Sequence, residues 1–131
     1  MVFPCNINKQ INIMVEDFIT KEEFEESITD YSTEDTYYLL TIETKDEKGY
    51  RLCYEDELYE WLMDKYFHSK INLMLYLASQ VKGKCTVKYE KVYLNDDYTF
   101  STPTDYGEII GTYSKKGFKG DINASFYDER D

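Results

Sequence analysis

Glu22, Glu26 and Asp30 recur at intervals of four residues, and Asp56, Glu60 and Asp64 repeat the spacing. On a helix this interval puts three carboxylates on one stripe, with Glu23 and Glu57 beside them. Rows of this kind hold no nucleophile, but each carboxylate can form a charge-assisted ion pair with an arginine or lysine brought to it. Like charges at this interval cost roughly 0.2–0.5 kcal/mol per pair, so two stripes satisfy something other than helix stability. Adding Glu23 and Glu25 gives five acids between Glu22 and Asp30. At about 1.5 Å rise per residue that is roughly one charge per 3 Å of axis, against one per about 3.4 Å along a strand of duplex DNA. Such a helix can present a phosphate-like line of charge. It can equally be a solvated face that keeps the chain in solution.

The rest of the charge points to a partner. Residues 1–64 contain 17 acidic and 5 basic side chains, residues 65–131 contain 9 and 10, and the whole net charge of −11 therefore sits in the first half. Nucleic acid is disfavoured as a direct ligand and a basic protein surface is favoured. Tyrosines stand beside the acids, as in Asp30-Tyr31, Tyr54-Glu55 and Tyr59-Glu60. A ring flanked by carboxylates suits an arginine-rich surface through ion pairing and cation–π contact, although with 14 tyrosines such neighbours also arise by chance. Glu22, Glu23, Glu26, Asp30, Tyr31, Asp56, Glu57, Tyr59, Glu60 and Asp64 are the candidate partner-binding residues.

Other chemistry finds little support. Cys5, Cys53 and Cys85 are widely spaced, without a C-x-x-C, so reduced buried thiols are expected rather than disulfides or zinc ligands. His68 is the single histidine and has no second imidazole for a metal pair. Asp121-Ile122-Asn123-Ala124-Ser125 begins like a calcium loop, but Phe126 occupies the glycine position and the chain stops before the closing glutamate. Lys115, Lys116 and Lys119 surround Gly117 and Gly120 without phosphate-loop spacing; a hairpin tip or a counter-charge to the acidic helices is expected there. No catalytic residue, metal or cofactor is assigned, and no enzymatic activity is expected. The amino terminus lacks a signal-peptide pattern and the longest apolar-rich stretch, Ile71 to Val81, is too short to span a bilayer. A soluble, cytosolic protein is expected.

The elements that must position these residues are legible in outline. Ile7, Ile11, Ile13 and Val15 keep strand spacing. Thr20 with Glu23 forms a capping box, and Ile19 with Phe24 a hydrophobic staple, which start a helix at Lys21. Thr36 to Thr44 and Tyr50 to Tyr54 form a hairpin around Lys45–Gly49. Glu55-Asp56-Glu57 open a second helix with Leu58, Trp61, Leu62 and Tyr66 as its buried stripe. After a break at His68-Ser69, a third, central helix uses Ile71, Met74, Leu75 and Ala78. Strands follow from Lys84, with a turn at Asn95–Asp97, a return over Tyr98 to Thr102, and further strands at Glu108 to Tyr113 and Asp121 to Tyr127. This order predicts a single α+β domain over residues 1–131, with an antiparallel sheet and about three helices.

In being short, strongly acidic, tyrosine-rich and α+β, with acidic stretches at Glu22–Asp30 and Glu55–Asp64, the chain resembles phage anti-CRISPR and other DNA-mimic anti-defence proteins. The resemblance implies an inhibitor whose acids take the place of phosphates in the groove of a basic nucleic-acid-binding protein, such as a CRISPR effector or another defence nuclease. A second reading, an immunity protein that neutralises a basic toxin nuclease, uses the same surface.

Overall fold

The computed structural model describes residues 15–63, 69–101 and 105–124. The chain folds as α1 (Lys21–Ser27), β1 (Asp35–Glu43), β2 (Lys48–Tyr54), α2 (Glu55–Met63), α3 (Lys70–Ser79), β3 (Lys84–Leu94), β4 (Tyr106–Ser114) and β5 (Gly117–Ala124), with 3₁₀ turns at Val15–Asp17 and Ile28–Asp30. The strands form one five-stranded sheet in the order β2-β1-β3-β4-β5, every neighbour antiparallel. The domain is α+β, as its pattern predicts.

Period-two alternation divides the core between the two faces of this sheet. Tyr38, Leu40 and Ile42 of β1 share one face with Cys53, Cys85, Val87, Tyr89 and Ile109, and there meet Leu58 of α2 and Leu73, Met74, Leu77 and Ala78 of α3. Tyr37 and Leu39 share the other face with Leu52, Val92 and Leu94, and there meet Phe24 of α1. The two acidic helices therefore lie on opposite faces. α3 is the buried centre its composition suggests: Leu73, Met74, Leu77 and Ala78 are sealed from solvent.

Local chemistry explains the boundaries. The Thr20–Glu23 capping box is present in both directions, and Ile19 packs with Phe24. α1 is α-helical only to Ser27 and then tightens to 3₁₀, which carries Asp30 off the straight stripe of Glu22 and Glu26. Ser69 caps α3 by accepting from Asn72 N–H at 3.1 Å. Gly117, at φ 104°, closes the β4–β5 turn around Lys115 and Lys116, a conformation that glycine adopts without steric cost.

β5 begins at Gly117, so the basic stretch is mainly strand and the turn is only Lys115-Lys116. The return after Asn95–Asp97 is a single bridge, Leu94 to Phe100, because Tyr98 takes a positive φ of 66° and Asn95 is held by Thr99. Val15 begins a 3₁₀ turn. The remainder of the predicted first strand (Ile7, Ile11, Ile13), Tyr66 and the Trp61 side chain, and His68 lie outside the described residues.

Candidate functional site

β2 is an edge strand, and the chain closes it against open pairing. Ile19 and Tyr50 exchange two backbone hydrogen bonds, at 2.9 and 2.8 Å. Farther along, the Tyr31 hydroxyl donates to the Leu52 carbonyl at 3.4 Å. An uncovered edge is a template for unwanted strands, and this one is covered by the segment that delivers α1.

Around that edge the acids arrange themselves. Glu22, Glu26 and Asp30 are exposed on one side and Asp56 and Glu60 on the other, and among the described residues none of the five has an ion-pair partner. Glu23 is occupied by its cap: Oε1 accepts from Thr20 N–H at 2.9 Å, which holds the carboxyl below its ordinary value. Glu57 lies 3.4 Å from Arg51 Nη2. Asp64 lies outside the described residues. The free charges are thus fewer than the sequence counts.

The tyrosines also separate. Tyr31, Tyr37 and Tyr54 form a ring cluster with centroids 5.1–6.0 Å apart, set between the start of α2 and the 3₁₀ turn after α1. Tyr31 is largely spent inside this cluster, where burial raises its phenol above its ordinary value. Tyr59 turns to the opposite face, against the Tyr38 ring at 6.3 Å, and its hydroxyl donates to Glu55 at 3.2 Å. Tyr54 is the ring left 45% exposed between the two acidic flanks. It extends the candidate site; its place beside Glu55 at the strand–helix junction is the cue for it.

A buried polar centre escaped sequence reasoning altogether. Lys70 Nζ lies 3.0 Å from Asp105 Oδ2, and the Tyr38 hydroxyl donates to the same oxygen at 3.0 Å. The ammonium stands 5.8 Å from the Tyr38 ring centroid and 5.7 Å from that of Tyr89. Burial, then the Tyr59 hydroxyl and Asp105, push the Tyr38 phenol well above its ordinary range. Beside this centre Lys91 bonds Glu55 at 2.8 Å, which raises the lysine. A lysine in the first turn of a helix, opposed by the dipole and followed by an apolar run, was the available signal.

Four further lysines gather elsewhere. Lys84 of β3 and Lys119 of β5 flank Thr112 across the sheet, next to the Lys115-Lys116 turn, and all four lysines are exposed. Four inter-strand steps of about 4.8 Å place β5 roughly 19 Å from β2. The basic turn is consequently no counter-charge to the acidic helices. A shallow hollow of about 290 Å³ on the α1 side of the sheet is lined by Lys88, Glu90, Tyr106 and Glu108, and its Lys88 and Glu90 face each other at 3.7 Å.

Among the described residues no cluster of three His, Cys, Asp or Glu side chains has the arrangement of a metal site, and no helix is long and apolar enough to cross a membrane. No protein-family model, no curated protein and no solved structure matches the chain.

Proposed function

We propose that the protein is an inhibitor that inserts its β2 edge into the nucleic-acid-binding groove of a basic DNA- or RNA-processing enzyme, in the manner of a phage anti-defence protein acting in the bacterial cytoplasm. The observation that carries this reading is the separation of charge in space. Among the described residues, carboxylates without an ion-pair partner flank one sheet edge on both faces and outnumber the exposed Lys21, Lys45 and Lys48 there, while Lys84, Lys115, Lys116 and Lys119 gather about the opposite edge. Such a dipolar molecule approaches a basic groove with its acidic edge forward, which speeds encounter at low ionic strength. Glu22, Glu26, Asp30, Asp56 and Glu60 take the places of phosphates, and Tyr54 supplies a rigid ring between them for an arginine.

The test is capture on immobilised protein from nuclease-treated bacterial lysate, across a salt series. A single nucleic-acid enzyme, lost as salt rises and displaced by its own nucleic-acid substrate, is the expected result. Capture indifferent to salt and to the substrate overturns the proposal. If the captured enzyme is a toxin encoded beside this gene, the same surface serves immunity rather than anti-defence.

A further inference from the structure

The sheet has two edges and the chain treats them differently. β2 is closed by Ile19 and Tyr31, whereas among the described residues nothing pairs with the outer edge of β5. Lys119 to Asn123 are all exposed, including Ile122 at 51%. The strand holds eight residues without proline or a register break against β4. An edge of this kind accepts another strand through its main chain, and the side chains decide which.

The side chains of β5 are complementary to β5 itself. Strand alternation puts Lys119 and Asp121 on one face and Phe118 and Ile122 on the other, with Gly120 between them. In an antiparallel pairing about a two-fold axis through Gly120, Lys119 stands opposite Asp121 of the second copy and Phe118 opposite Ile122 of the second copy. The symmetry makes each contact twice. Each charge meets its opposite, the exposed Ile122 gains an aromatic neighbour, and Gly120 on the axis has no side chain to hold the chains apart. A shift by one residue sets Lys119 against Gly120 and loses both complementarities. Opposite-charge and aromatic–aliphatic pairs directly across strands are the contacts that stabilise a sheet.

We propose that the chain forms an isologous dimer through β5, joining two five-stranded sheets into one continuous ten-stranded sheet. The acidic edges do not oppose this. Each acidic edge stands roughly 19 Å from the joint, beyond the screening length of about 8 Å at physiological salt. The inference is independent of the inhibitor reading, and it leaves both acidic edges pointing outward, one per copy.

The experiment is sedimentation velocity on the full chain across a wide concentration range, with far-UV circular dichroism to verify folding. Wild type is expected to dimerise reversibly. Lys119→Asp and Asp121→Lys each set like charges opposite one another twice, and each is expected to weaken the dimer by roughly tenfold or more. The double variant Lys119→Asp/Asp121→Lys restores opposite charges in the same register and is expected to recover the dimer. A wild-type chain that stays monomeric throughout overturns the proposal. A dimer that survives both single reversals, or a folded double variant that stays monomeric, also overturns it.

Discussion

Lys70 Nζ and Asp105 Oδ2 meet at 3.0 Å where the two side chains are only 2% and 5% exposed. The pair ties the first turn of α3 to the residue that leads into β4, so one contact fixes the central helix against the sheet. Two charges taken from water require each other. Lys70→Met takes this ammonium from the Asp105 carboxylate and Asp105→Leu takes this carboxylate from the Lys70 ammonium, and each single variant is expected to lose about 3–5 kcal/mol. The double variant Lys70→Met/Asp105→Leu should lie much closer to wild type, because neither charge is left buried. Urea unfolding of the three variants measures this, and equal losses for the double and the singles would assign the cost to packing.

Gly107 lies against the ring that covers Lys70. A Cβ there would run into the Tyr89 ring at Cε2, and Tyr89 is sealed from solvent. Gly107→Ala is therefore expected to destabilise by about 1–3 kcal/mol through overpacking. Gly107→Ala/Tyr89→Leu should recover part of that loss in thermal unfolding, since the clashing ring is gone.

These two sites show where sequence reading stops. Thr20, Glu23 and Phe24 announced α1, and Thr36 to Tyr54 announced the hairpin, because caps and alternation are local signals. Lys70 and Asp105 are 35 positions apart in the numbering, and nothing near either one names the other. The candidate site was legible as a list of acids but not as a surface. That α1 and α2 occupy opposite faces depends on which strand residues are odd and which even once β1 is in register with β2 and β3. The loss of Glu23 to its cap and of Glu57 to Arg51 could be seen only with the partners in place.

The two described cysteines should behave as inert core residues. Burial pushes the Cys53 thiol up to about 12, with Glu57 adding to the shift, and burial also raises Cys85. The thiolate is the reactive form, so at pH 8 both are almost wholly unreactive. In a Cys5→Ser chain, labelling by a disulfide reagent is expected to proceed only at the rate of unfolding. Fast labelling in native buffer would show that Cys53 or Cys85 is open to solvent.

The α1 cap gives a pH dependence of known sign. Glu23 has a folded-state value below its unfolded one, so its contribution is complete above the unfolded value of about 4.3 and is lost as pH falls through the folded value. Thr20→Ala removes the partner and is expected to cost about 1 kcal/mol at neutral pH. The difference in melting temperature between wild type and Thr20→Ala should shrink as pH falls below about 4. A difference that stays constant with pH would remove Glu23 from the cap.

Stability and binding are expected to move in opposite directions at the acidic edge. Glu22 and Glu26 repel across one helical turn with no basic neighbour paired to either among the described residues. Glu26→Lys converts that repulsion into an i,i+4 attraction and should raise stability by a few tenths of a kcal/mol, about 0.2–0.5 for the new pair with the old repulsion removed as well. The same change weakens the field on the α1 flank, and Glu60→Lys does so on the α2 flank. Because rim charges govern encounter more than residence, the double variant should associate with the captured enzyme more slowly, with a shallower salt dependence and a nearly unchanged dissociation rate. A helix optimised only for solvation predicts the stability gain alone. If the reversed variant is more stable and still associates as fast as wild type at low salt, the acids are a solvated face and the inhibitor proposal is wrong.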